Sequence, residues 1–148
     1  MRLALPLFAA VFAASAVAAD VDVGPIDRKA PKKEDLAPPP KDAKPQVVEL
    51  QGSFSAEVTK GEKRGVYFLV CPLGAKGDGG NDWWVQGQVT RDGEGVRADG
   101  QFGEENAGAG EWFAVVAVAT DKKWAVGEKL DALPADATFS KVKVVKRK

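Results

Sequence analysis

The chain contains no histidine and a single cysteine, Cys71, in 148 residues. Without an imidazole there is no ordinary general base near neutral pH and no nitrogen ligand for a metal. This excludes Ser-His-Asp hydrolases, Cys-His proteases and the usual zinc enzymes. One cysteine excludes an intramolecular disulfide, a CxxC redox pair and a four-cysteine metal knot. An excess of charge of one sign is missing too, since 21 Lys plus Arg stand against 21 Asp plus Glu. Bulk attraction to nucleic acid or anionic lipid is therefore not expected, and neither a metal nor an organic cofactor is called for.

What is present begins with an export signal. Residues 1–19 read as a signal peptide: Arg2 is the positive n-region, Leu3 to Val17 the apolar run, and Ala16-Val17-Ala18 an A-x-A site, with cleavage after Ala18 or Ala19. The run is shorter than the roughly 20 residues of a spanning helix and is broken by Pro6. No membrane span is expected after cleavage, and the product is secreted or periplasmic.

Residues 20–46 hold six prolines, six acids and six bases with few large apolar side chains, a composition that reads as a disordered Pro/Lys/Asp-rich linker. From 47 to 148 the pattern becomes short alternating segments punctuated by glycine. In Val48–Val58 every even position is apolar or Gly, the period of a strand with one buried face. Val66–Cys71 and Trp112–Thr120 are apolar on both faces, as in central strands. Trp83–Thr90, Val96–Phe102 and Phe139–Lys146 complete six expected strands, the last with Val142 and Val144 facing inward. Asp92-Gly93 suits a tight hairpin, Gly74–Asn81 a loop, and Gly127–Pro134 a single helical turn.

The Tyr-Phe-Leu-Val strand, the Trp-rich strand, the Glu-Trp-Phe-Ala-Val-Val-Ala-Val strand and the Leu-Pro before the last strand resemble small Ig-like or fibronectin-III-like domains of secreted bacterial proteins. The resemblance implies a single antiparallel β-sandwich and carries no functional residue, because the cysteine pair that bridges immunoglobulin sheets is absent. An OB-like β-barrel is the alternative.

Candidate chemistry is confined to a few places. Acids crowd the loops at Asp78, Asp82, Asp92, Glu94, Asp99, Glu104, Glu105 and Glu111, without the spacing of a calcium loop, and they read as solvated turns. Cys71, before Pro72, reads as a small buried hydrophobe. Lys141 and Lys143 belong to a basic C-terminal end and suit the guarding of an edge strand. If Trp83 points inward, Trp84 shares the outer face with Gln86 and Gln88. A bare indole beside amide groups is the chemistry of sugar stacking, so these three are the candidate ligand-binding residues. No catalytic residue is expected. The sequence thus describes a non-enzymatic envelope interaction or structural module with a protein or glycan partner, or alternatively a carbohydrate-binding module centred on Trp84.

Overall fold

A computed structural model describes residues 20–37, 39–40, 42–73, 82–106 and 108–148. The expected signal peptide and the Gly74–Asn81 loop lie outside them. The chain is all-β, with two mixed sheets packed against each other as a β-sandwich. The first sheet has the order β1 (Asp20–Pro25), β3 (Gln51–Glu57), β7 (Gly95–Gln101), β6 (Thr90–Asp92). The second runs β2 (Gln46–Val48), β11 (Lys143–Arg147), β8 (Trp112–Thr120), β4 (Gly65–Pro72), β5 (Trp83–Val85), β9 (Lys129–Leu130), with β10 (Thr138–Phe139) also paired to β8.

The two doubly apolar segments take the centre of the second sheet, where β4 and β8 pair from Gly65↔Thr120 to Pro72↔Phe113. Both faces of this pair are covered. One face meets the first sheet across a core built on Phe54, Phe68, Phe102 and Phe113, whose rings touch in series with centroids 5.4 to 5.8 Å apart. The other face, with Leu69, Cys71, Val116 and Val118, is covered by Trp83, Leu130 and Phe139, and at its margin by Leu36, Trp124 and Leu133. Continuous hydrophobicity in β4 and β8 thus reflects a middle layer. Burial in this second core, with Asp82 adding a smaller effect, pushes the Cys71 thiol up to about 12. The Asp92-Gly93 hairpin forms as expected, joining β6 to β7 with Asp92 opposite Gly95 and Gly93 at φ 63°.

Residues 20–46 differ from the expected linker. The chain from Asp20 forms β1, parallel to β3, with Val21 and Val23 fully buried in the core between the sheets. Ile26 follows them, Arg28 bridges to Phe139, and Gln46–Val48 pairs in parallel with β11. These two parallel additions make the sheets mixed where an antiparallel sandwich was expected. They also flank part of the basic end: from Val145 to Arg147 β11 lies between β2 and β8 and is not an edge, whereas Lys143 pairs with β8 alone. Within it Val145 faces the core between the sheets and Arg147 is buried, while Val144, and Val142 just before the strand, pack at the margin of the second core. The expected helical turn after Gly127 contains β9 instead. Two long alternating segments are each divided between the sheets, Val48–Val58 into β2 and β3 and Trp83–Thr90 into β5 and β6.

An ion pair closes the turn between β3 and β4. Arg64 donates Nε to Glu62 Oε1 at 2.9 Å and Nη2 to Oε2 at 2.8 Å, and Nη2 also donates to Thr138 Oγ1. Hydrogen bonding from Arg64 is the main reason that the Glu62 carboxyl falls from 4.5 to about 2. Ionised Glu62 therefore stabilises the fold fully above about pH 4.5 and loses this contribution as pH falls through about 2. Glu62→Gln is expected to cost about 1 to 3 kcal/mol at pH 7. Urea unfolding at several pH values checks it: the gap from wild type should close toward pH 2, and a gap independent of pH would refute the assignment.

Candidate functional site

The segment after β5 carries the chain from the second sheet to the first within two residues. Gln86 N donates to Phe68 O at 2.9 Å, extending the β4–β5 pairing, and Gly87 N donates to Asp99 O at 3.0 Å on β7. The Gln86 side chain, 9% exposed, ties the same junction: Oε1 accepts from Gln101 N at 2.8 Å and Nε2 donates to Trp84 O at 3.0 Å. Neither Gly87 nor Gly100 has room for a side chain, because a Cβ at Gly87 would collide with Asp99 O and one at Gly100 with the Phe54 ring and Gln86 Oε1.

Beside this junction a cleft of about 730 Å³ opens between the sheets. Its apolar lining comes from Val70, Pro72, Val85 and Phe113 of the second sheet. Trp84 stands on it 42% exposed, held by pairing with Val70 on one side and Lys129 on the other. The turn that precedes β9 brings up Val126, 62% exposed, because Gly127 N donates to Val85 O at 2.8 Å and Val85 N to Glu128 O at 3.0 Å. Two of the three large apolar side chains exposed among the described residues therefore line one cleft.

The other lining comes from Gln51, Asp99, Gly100 and Gln101 of the first sheet and, in the loop between β7 and β8, from Gly103, Glu104, Gly108 and Glu111. Arg147 holds this loop. It is 7% exposed; its Nη1 donates to Phe102 O at 3.0 Å and Glu104 O at 2.7 Å, while its main chain exchanges hydrogen bonds with Glu111 O and Gly110 N. A buried guanidinium that donates to main-chain carbonyls ties the loop to the last strand.

The three sequence candidates do not share one face. Trp84 and Gln86 line this cleft, whereas Gln88 is exposed and lines a second cleft of about 600 Å³ that Gln86 borders from its other side, with Arg64, Arg91 and Trp124. The reason is that β5 ends at Val85, so the alternation assumed up to Thr90 stops before Gln86. The amide of Gln86 is engaged by the main chain, which leaves it a positioning role for the cleft wall. Of the other tryptophans, Trp83 is buried, Trp112 lies under Lys146 with its Nζ 5.5 Å from the ring centroid, and Trp124 packs on Tyr67 at 4.9 Å.

Sequence reading missed Val126 and gave Glu104 and Glu111 no common purpose. The only available signal was a lone valine in a polar turn, and two acids flanking a glycine-rich loop. No group of three or more acidic or cysteine side chains placed to hold a metal occurs among the described residues. Set against models of protein families, curated proteins and solved structures, the chain matches none.

Proposed function

We propose that this chain is a non-enzymatic binding module of the periplasm or the medium, which holds a glycan partner in the cleft on Trp84. The observation that carries the reading is the half-exposed indole of Trp84 beside Val126 in a concave, largely apolar cleft with amide and carboxylate groups at its rim. An indole in that setting covers the apolar face of a pyranose while the polar rim bonds its hydroxyls. A volume of about 730 Å³ is within the range of small-ligand sites, whereas a protein partner would ask for a broad surface. Export is supported by the signal-like N-terminus, and the lack of a catalyst by the lack of histidine.

Titration of intrinsic fluorescence with a panel of soluble oligosaccharides tests this. At least one sugar should give a saturable change, and Trp84→Ala should weaken it by about ten- to thirtyfold while the melting temperature stays within a few degrees. Absence of a response to every sugar, or an unaltered response in Trp84→Ala, would overturn the proposal.

A further inference from the structure

The described residues that line the cleft include acids and no base. Glu104 and Glu111 line it together with Asp99 of β7, and no lysine or arginine does so among the described residues. Two described cations in this part of the fold have partners of their own. The Arg147 guanidinium donates to the carbonyls of Phe102 and Glu104. Lys129, which pairs with Trp84 across β5 and β9, places its ammonium 3.8 Å from Asp82 and 4.0 Å from Asp131. Neither Glu104 nor Glu111 takes part in an ion pair among the described residues. The lining thus brings an exposed indole and three acidic residues to one volume, with no basic residue among the described lining residues.

A ligand complementary to both is apolar on one face and positively charged at its edge. A carboxylate-bearing or sulfated sugar would meet like charge on the rim, and a neutral sugar would leave the carboxylates without a counter-charge. From this complementarity we infer that the cleft selects an amine-bearing sugar, a hexosamine unit whose amino group is not acylated. The pyranose ring lies on Trp84 and the ammonium is directed to Glu104 and Glu111. The inference rests on the proposal that the cleft holds a glycan, and it names the chemical class of that glycan.

The test compares a glucosamine hexamer with the N-acetylglucosamine hexamer of identical linkage, at about pH 5.5 where amines and carboxylates are both charged. The mature protein is titrated with each by calorimetry and by tryptophan fluorescence. At about 20 mM salt the free amine should bind about tenfold more tightly, and at about 500 mM salt the ratio should fall below about two. In E104Q/E111Q, which keeps side-chain shape and removes only charge, the ratio at low salt should fall to near one. Equal or tighter binding of the N-acetyl sugar by wild type overturns the amine inference and leaves the glycan proposal standing. So does a preference for the amine that survives both high salt and E104Q/E111Q. Failure of both sugars and of every neutral oligosaccharide to bind overturns the two together.

Discussion

A chain that begins after Arg28 is expected not to fold cooperatively at 25 °C. The removed segment contains Val21, Val23 and Ile26, all buried in the core between the sheets. Burying a Val or Ile side chain contributes about 1.5 to 3 kcal/mol, so the three together supply on the order of 4 to 9 kcal/mol, against a total stability of about 5 to 15 kcal/mol for a typical domain. The loss extends beyond side chains. β1 covers the edge of β3 through the pairs Asp20↔Ser53, Val21↔Phe54 and Asp22↔Ser55, and Asp20 accepts hydrogen bonds from the hydroxyls of Ser53 at 3.1 Å and Ser55 at 2.8 Å. Deletion uncovers Phe54, the ring that links Phe68 to Phe102, and leaves β3 as a bare edge. Thermal and urea unfolding followed by circular dichroism checks the expectation. A shortened chain that melts within a few degrees of one beginning at Asp20 would show residues 20–28 to be a dispensable tether.

That outcome also bears on what the sequence could reveal. β4 and β8 were legible because six and eight consecutive apolar residues, Val66–Cys71 and Trp112–Ala119, have few places to go except the middle of a layered fold. The β6–β7 hairpin was legible because Asp-Gly writes its turn locally. β1 was not, although Asp20-Val21-Asp22-Val23 alternates, because the prolines and lysines around it dominate the composition of a 27-residue window. Those prolines are compatible with order: Pro25 closes an edge strand and Pro45 precedes another, positions where no ladder donor is required. Leu36, in a single 3₁₀ turn over Lys33–Leu36, even reaches the second core. Crossing between sheets was likewise invisible. Period-two burial continues from Val48 through Val58 while the hydrogen-bonding partners change from β11 to β7, because side-chain alternation records which face is buried and not which strand lies alongside. The candidate site inherits that limit. Trp84 was identified from exposure on an alternating strand, but Gln86 and Gln88 were assigned to its face by extending a strand that the chain leaves after Val85.

Gly87→Ala should destabilise the protein by about 3 to 5 kcal/mol, lowering the melting temperature by roughly 10 to 25 °C. An added methyl group would strike the Asp99 carbonyl, the same oxygen that accepts from Gly87 N at 3.0 Å, so relief by moving apart breaks the hydrogen bond that starts the chain on the first sheet. β7 has little freedom to retreat. Gln101 N on that strand is held at 2.8 Å by Gln86 Oε1, and Gly100 between them fits against Phe54 and Gln86 with no space for a side chain. Separation of the strands would strand the buried amide of Gln86, whose lost hydrogen bonds add to the steric cost. Gly95→Ala is the matched control, since its methyl group would meet only Asp92 O at 3.4 Å, and a strand glycine replaced by alanine without collision is neutral or slightly stabilising. The same junction forms one wall of the cleft. Gly87→Ala should therefore weaken sugar binding even at temperatures where most molecules remain folded, while Gly95→Ala should bind as wild type does. Parallel melting curves and titrations decide the matter: comparable stability of the two alanine variants would show that the sheets are not pinned at Gly87, and intact binding by a folded Gly87→Ala would show that the junction does not shape the cleft.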